Sequence, residues 1–167
     1  MSDQPRVDAS AVARAIPAGD RLLLDTSALA AYLDASEATH LIAALILDDF
    51  IGSGRNTAII SMVTVMEILV RPLRATPPGH HTVLAFIRNH PNLTAVPLDL
   101  QMAQDAAFLR AAHRFPPPDA LIIATGLAAQ VGHLVTNDSD WRTRLEPLRT
   151  RVQAHVLSTF QTRPRGR

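Results

Sequence analysis

Four acidic residues fall at the positions where a parallel α/β sheet collects its functional groups. Asp25 ends a short apolar run, Glu67 lies in the helix predicted after the second such run, and Asp138 follows the fourth. Asp119 opens the helix that leads into the fourth run. Because the carboxyl ends of parallel strands share one edge of a sheet, we expect these four side chains to lie in one pocket.

The chemistry of such a pocket is set by its charge. Four neighbouring carboxylates repel one another, and their pKa values rise unless a cation enters. Oxygen ligands in a chain without cysteine favour Mg²⁺ or Mn²⁺ over zinc. Two such ions about 4 Å apart can activate a water molecule and stabilise the leaving oxygen of a phosphodiester. The residues therefore predict metal-dependent phosphodiester cleavage.

Each acid also has a purely structural explanation. Asp25 and Asp119 stand where a side chain caps the following helix, which is worth about 1 kcal/mol, and Asp138 fits an Asx turn. Glu67 precedes Arg71 by four residues, the spacing of a helical ion pair. Glu67 fits this explanation least well, because its helix is apolar nearly all round. Such a helix is normally buried, and a buried carboxylate needs a partner or a metal.

The composition excludes several other kinds of chemistry. The chain has 167 residues, of which 47% are hydrophobic and 19% charged, as expected for one folded domain with a substantial core. It has no cysteine, and all 16 basic residues are arginine, which excludes thiolate catalysis, a Walker A lysine and a Schiff-base enzyme. The net charge is only +1, but seven of the arginines lie in residues 141–167. Such a basic segment either attracts a polyanion or is simply a solvated terminus.

Short apolar runs alternate with helical patterns, which predicts an α/β fold with a mainly parallel sheet. The predicted strands are residues 21–25, 57–61, 93–97, 133–136 and 152–156. The predicted helices are residues 27–33, 39–50, 62–70, 80–89, 100–114 and 119–131. The polar start and the absence of an apolar run of roughly 18 residues predict a cytoplasmic protein without a membrane segment.

Four segments carry a resemblance to a known family. They are LLLDTSAL (22–29), VMEIL (65–69), PPDALIIATGL (117–127) and LVTNDSDW (134–141). In order and spacing they resemble the signature segments of a PIN-domain ribonuclease, and the chain is similar in size to the VapC-like toxins of bacterial type II toxin–antitoxin systems. The resemblance covers about residues 21–157. It implies a three-layer α/β/α sandwich with about five central strands. The chain departs from the family's pattern in an N-terminal extension (1–20) and a basic C-terminal tail (158–167).

The resemblance also implies roles for individual residues. The acids that would bind Mg²⁺ or Mn²⁺ and cut RNA are Asp25, Glu67, Asp119 and Asp138. Thr26 and Ser27 occupy the small polar positions after the first acid, and Thr136 matches a threonine two residues before the fourth. Trp141 stands where an aromatic residue is expected, and Asp140 is a candidate extra contact.

The implied partners are an RNA substrate, a second copy of the chain and a cognate antitoxin, whose tail would bring a basic side chain near the acids. Arginines of residues 142–151 are candidates for holding the RNA backbone. The apolar residues 41–47 are a candidate docking surface, unless they pack into the core. Two alternatives stay open: a catalytically silent PIN-like domain that binds RNA or protein, and a metal-dependent DNA nuclease of the same architecture.

Overall fold

A computed structural model describes residues 6–162, and a parallel sheet between two helical layers is its centre. The strands are β1 (Arg6–Val7), β2 (Arg21–Leu24), β3 (Thr57–Ser61), β4 (Leu93–Val96), β5 (His133–Thr136), β6 (Gln153–Val156) and β7 (Gln161–Thr162). The helices are α1 (Ala9–Ala15), α2 (Thr26–Leu33), α3 (His40–Ala44), α4 (Met62–Arg74), α5 (His80–Asn89), α6 (Leu100–His113), α7 (Pro117–Ala128) and α8 (Trp141–Arg144).

The central sheet has the strand order β4-β3-β2-β5-β6, and all four neighbouring pairs are parallel. The predicted α/β sandwich with five central strands is thereby confirmed. Because every strand runs the same way, the residues after Leu24, Ser61 and Thr136 meet at one edge of the sheet. The topology alone therefore brings Asp25, the start of α4 and the segment after β5 together.

Successive residues of β2 point to opposite faces of the sheet, which gives the fold two cores. Leu22 and Leu24 pack under α1, α2 and α3, while Leu23 packs under α6 and α7. Helix α7 approaches the sheet closely at Gly126, where a Cβ atom would lie only 2.7 Å from Leu23 Cδ2. The glycine within this apolar helix therefore serves close packing.

Three helices differ from their predicted limits by more than one residue. The predicted helix 39–50 is interrupted: α3 ends at Ala44, and a π-helical segment follows over Leu45–Gly52. Helix α4 continues through Pro72 to Arg74, although the sequence predicted its end before the proline. Helix α7 begins at Pro117, two residues before Asp119, because the missing N–H of proline costs nothing in the first turn.

The segment before β2 packs on the sheet domain. Strand β1 pairs with β7 in an antiparallel ladder, and Val12 and Ile16 are fully buried in the core. Residues 1–5 of the predicted extension and residues 163–167 of the predicted basic tail lie outside the described residues. None of the helices within residues 6–162 is long and apolar enough to cross a membrane.

Candidate active site

Asp25 is the innermost of the four acids, with 6% of its surface exposed. It stands at the N-cap position of α2, but its side chain makes no capping bond. Instead, Oδ2 accepts hydrogen bonds from the Ser27 hydroxyl (2.8 Å), the Thr136 hydroxyl (2.9 Å) and the Trp141 indole Nε1 (3.2 Å). The structure thus uses this carboxylate as the centre of a polar network rather than as a helix cap.

Glu67 faces the same edge of the sheet from α4. Its Oε2 accepts a hydrogen bond from the Thr26 hydroxyl, which lies next to Asp25 in the chain. Arg71 turns away from Glu67, and its Nη1 lies 3.6 Å from Asp34 Oδ2. The structure therefore does not contain the helical ion pair considered as an alternative for Glu67, and the Thr26 hydroxyl at the start of α2 binds this glutamate instead.

Asp119 and Asp138 meet at one guanidinium group. Arg144 Nη1 lies 3.1 Å from Asp119 Oδ2 and 3.1 Å from Asp138 Oδ2, and its Nη2 lies 3.4 Å from Asp140 Oδ2. Asp138 also accepts the backbone N–H of Asp140 at 2.9 Å, so the predicted Asx turn is present. The turn does not exclude a role in the pocket, because the other carboxylate oxygen of Asp138 faces Arg144.

The electrostatics of Asp119 place all four acids in one region. Burial raises the pKa of Asp119 from 3.8 to about 6. The positive charge of Arg144 opposes this rise, while the negative charges of Asp25, Glu67 and Asp138 add to it. The three other acids thus all act on this carboxyl group, as expected for one shared pocket.

The supporting hydroxyls connect the two segments of the pocket. Ser27 Oγ lies 3.0 Å from Thr136 Oγ1 and accepts the backbone N–H of Asn137 at 2.8 Å. Thr136 Oγ1 accepts the backbone N–H of Asp138 at 3.0 Å. These bonds hold the start of α2 against the end of β5, so that the positions of Asp25 and Asp138 depend on each other.

The donor set suits a hard divalent cation, because carboxylate oxygens are its preferred ligands and the clustered charges repel one another without one. The arrangement is nevertheless not that of a preformed metal site. Within residues 6–162, no three histidine, aspartate or glutamate side chains are placed so that they could hold a metal ion together. The positive charge between Asp119 and Asp138 is supplied by the guanidinium group of Arg144.

Two members of the site were not predicted in their actual roles. Trp141 was matched only as an aromatic position, yet its indole N–H binds Asp25, which a phenylalanine could not do. Arg144 was considered only within a segment that contacts RNA, yet it binds three carboxylates. The four-residue spacing between Asp140 and Arg144 on one helical turn was the available signal.

The comparisons with known proteins agree with this architecture. The family model for the PIN domain matches residues 22–144, so the chain belongs to the PIN-domain family. No curated protein matches the chain in sequence.

Among solved structures, VapC20 of Mycobacterium tuberculosis, a sarcin–ricin loop cleaving toxin, is 17% identical with a TM-score of 0.61. The alignment covers 74% of this chain and 94% of VapC20. VapBC2 of Rickettsia felis, bound to a promoter DNA fragment, is 14% identical with a TM-score of 0.60 over 81% of this chain and 98% of the other. A toxin–antitoxin complex of Klebsiella pneumoniae is 22% identical with a TM-score of 0.54, over 72% and 88% respectively. At these identities the similarity establishes the fold.

Proposed function

We propose that the protein is a Mg²⁺- or Mn²⁺-dependent endoribonuclease that acts as the toxin of a VapBC-like toxin–antitoxin pair. The observation that carries the proposal is the convergence of four carboxylates, which shared hydrogen-bond partners and one arginine link at a single edge of the sheet: Asp25, Glu67, Asp119 and Asp138. Such an acid cluster opposes folding unless a cation or a reaction makes use of it. Membership of the PIN-domain family and the structural similarity to VapC20 support RNA as the substrate.

The four acids would hold the metal, and each is positioned by a different part of the fold. When bound, the metal would activate water and stabilise the leaving oxygen of the phosphodiester. Ser27, Thr136 and Trp141 orient the Asp25 carboxylate by fixing Oδ2. The Thr26 hydroxyl orients Glu67. These hydrogen bonds fix the orientation of the Asp25 and Glu67 carboxylates.

The nuclease proposal is tested with purified protein on RNA and DNA oligonucleotides of the same sequence. We expect cleavage of RNA with Mn²⁺, none with EDTA, and none by the Asp25→Asn variant with Mn²⁺. Cleavage of DNA at an equal rate would favour the DNA-nuclease alternative, since the 2′-hydroxyl is the chemical difference. Metal-independent cleavage, or cleavage by the variant, would contradict the proposed site.

The toxin proposal is tested by inducing the protein in a bacterial host without its antitoxin. Growth arrest by the wild type but not by Asp25→Asn is expected. Equal arrest by both would remove the catalytic explanation. Absence of arrest by an active nuclease would contradict the role as a toxin while leaving the enzyme in place.

An antitoxin surface is proposed on α4. The predicted docking residues 41–47 are mostly core: Leu41 is 54% exposed, but Ile42, Ala43, Ile46 and Leu47 are buried. The helix α4, predicted to be buried all round, instead exposes an apolar stripe. This stripe consists of Met62, Met66, Val70 and Leu73. It runs beside Glu67, so a partner with an apolar helix followed by a basic segment would cover the stripe and neutralise the acids.

A homodimer is proposed from a second exposed apolar surface on α6. Phe108 is 66% exposed and Leu100 is 86% exposed, and large apolar side chains in such positions commonly mark an interface. Light scattering should give a dimer for the wild type and a monomer for Phe108→Ser. A monomeric wild type would contradict this part of the proposal.

The catalytically silent alternative is favoured by one observation, the occupation of Asp119 and Asp138 by Arg144. A permanently neutralised pocket could bind a partner but not a metal. The Mn²⁺-dependent cleavage experiment separates the two functions, because a silent domain would bind RNA without cutting it.

A further inference from the structure

Arg144 makes more contacts with carboxylates than an ordinary surface ion pair does. Its guanidinium contacts carboxylates from two separate segments, Asp119 on α7 and Asp138 with Asp140 after β5. The side chain is 28% exposed, and its guanidinium carbon lies 5.8 Å from the centre of the Trp141 ring. Trp141 is itself 1% exposed and donates a hydrogen bond to Asp25. The ring that lies beside Arg144 therefore belongs to the same pocket as the acids.

The guanidinium group of Arg144 supplies a positive counter-charge to the acids. Its Nη1 lies 3.1 Å from Asp119 Oδ2 and 3.1 Å from Asp138 Oδ2, so one positive charge faces two carboxylates. Arginine stays charged at all ordinary pH values, so this neutralisation does not depend on pH. Asp119 and Asp138 are also two of the four residues that would hold the metal.

We propose that Arg144 is an internal counter-ion that occupies the cation position between Asp119 and Asp138, so that divalent metal must displace it to assemble the site. This inference rests on the proposed function, since it concerns the same four acids. In the metal-free protein Arg144 then neutralises Asp119 and Asp138, and activation of the protein depends on the concentration of free divalent cation.

The proposal distinguishes competition from simple structural support. An arginine that only stabilises the fold would stabilise the metal-free and the metal-loaded protein equally. A counter-ion that the metal replaces stabilises the metal-free protein alone, and its removal therefore increases metal affinity. Both effects can be measured without any nuclease assay.

The experiment is a titration of Mn²⁺ into the purified full chain, followed by calorimetry or by the loss of the free-ion paramagnetic resonance signal. We expect Arg144→Gln to bind Mn²⁺ roughly tenfold more tightly than the wild type. The matched control is Arg142→Gln, which removes the same charge from the same helix and should bind like the wild type. Equal or weaker binding by Arg144→Gln would overturn the proposal, as would an equal gain in both variants.

Melting temperatures give the second measurement. Arg144→Gln should melt lower than the wild type without metal, and this difference should disappear in saturating Mn²⁺. A difference that persists with metal would identify a structural role and overturn the competition. If the glutamine variant does not fold, Arg144→Met replaces it. The methionine removes the charge and keeps a flexible, unbranched side chain, so tighter binding by this variant supports the proposal and unchanged binding overturns it.

Asp25→Asn separates this inference from the proposed function. If the wild type binds Mn²⁺ and Asp25→Asn does not, the metal site stands, and the arginine variants decide the competition alone. If no variant shows binding that depends on Asp25, the metal site itself is wrong, and the proposed function fails together with the counter-ion.

Discussion

The two ends of strand β5 hold different kinds of polar cluster. At the amino end, His133 Nδ1 lies 2.8 Å from His155 Nε2, and His133 Nε2 lies 2.8 Å from Asp20 Oδ2. Both ring nitrogens of His133 thus have a hydrogen-bond partner. At the carboxyl end, Thr136 leads into a cluster of acids that repel one another. The polar groups at the amino end therefore stabilise the fold through their hydrogen bonds, whereas the repulsion between the acids at the carboxyl end opposes folding.

This contrast has a measurable signature in the two perturbed groups. Burial, and then the charge of His133, lower the pKa of His155 from 6.5 to about 4. Burial, and then the neighbouring acids, raise the pKa of Asp119 from 3.8 to about 6 against the attraction of Arg144. Each end keeps one group neutral over a similar pH range, but the two have opposite effects on the pH dependence of stability.

The largest expected effect is on activity at the acidic end. Asp25→Asn should reduce the rate of RNA cleavage by at least about a hundredfold, because the variant loses the negative charge at the centre of the network. The asparagine keeps the size of the side chain, so the far-UV circular dichroism should not change. The control Asp49→Asn removes an exposed carboxylate elsewhere and should cleave normally. Normal cleavage by Asp25→Asn would remove the distinction between the two ends.

At the histidine end, the expected effect is on stability and depends on pH. Because the pKa of His155 is lower in the folded protein than in the unfolded chain, the unfolded chain binds more protons between pH 6.5 and pH 4. Stability contributed by neutral His155 is therefore present above pH 6.5 and is lost as the pH falls to about 4. The loss should amount to about 3 kcal/mol.

His155→Gln should remove this acid-side loss without changing RNA cleavage at pH 7. The measurement is urea unfolding at a series of pH values. The control is His113→Gln, because His113 is exposed and its substitution should leave the slope as it is. An unchanged slope in His155→Gln would show that His155 does not set the acid sensitivity.

Asp119 should give the opposite slope. The pKa of its carboxyl group is raised in the folded protein, so the folded chain binds more protons between about pH 4 and pH 6, and stability falls as the pH rises through this window. Asp119→Asn should therefore increase the stability of the metal-free protein at pH 7 by about 2 kcal/mol. It should also abolish the rise in melting temperature with Mn²⁺. A variant that keeps this metal response would show that Asp119 is not a ligand.

Much of this contrast follows from local sequence. The apolar runs predicted all five central strands to within one residue at either end, because buried strands need little more than apolar residues and a stop signal. Parallel strands then placed Asp25, Glu67 and Asp138 at one edge. The helix before β5 added Asp119.

The unpredicted parts depend on contacts between distant residues. His133 and His155 lie 22 residues apart and meet only because β5 and β6 pair in one register. Arg144 meets Asp119 only because the fold brings α8 next to the first turn of α7. The burial of α4 was predicted wrongly for the same reason, since periodicity shows that Met66 is apolar but not that the neighbouring helices leave it 60% exposed.

The smallest expected effect concerns a single hydrogen bond at the acidic end. Thr26→Val preserves the shape of the side chain but removes the hydroxyl that binds Glu67. One such bond to a charged group is worth roughly 1.5 kcal/mol, so cleavage should slow about tenfold and the melting temperature should fall by a few degrees. Thr26→Ser keeps the hydroxyl and should restore most of the rate. If serine does not restore the rate, the packing of the side chain at position 26, and not its hydrogen bond, fixes the orientation of Glu67.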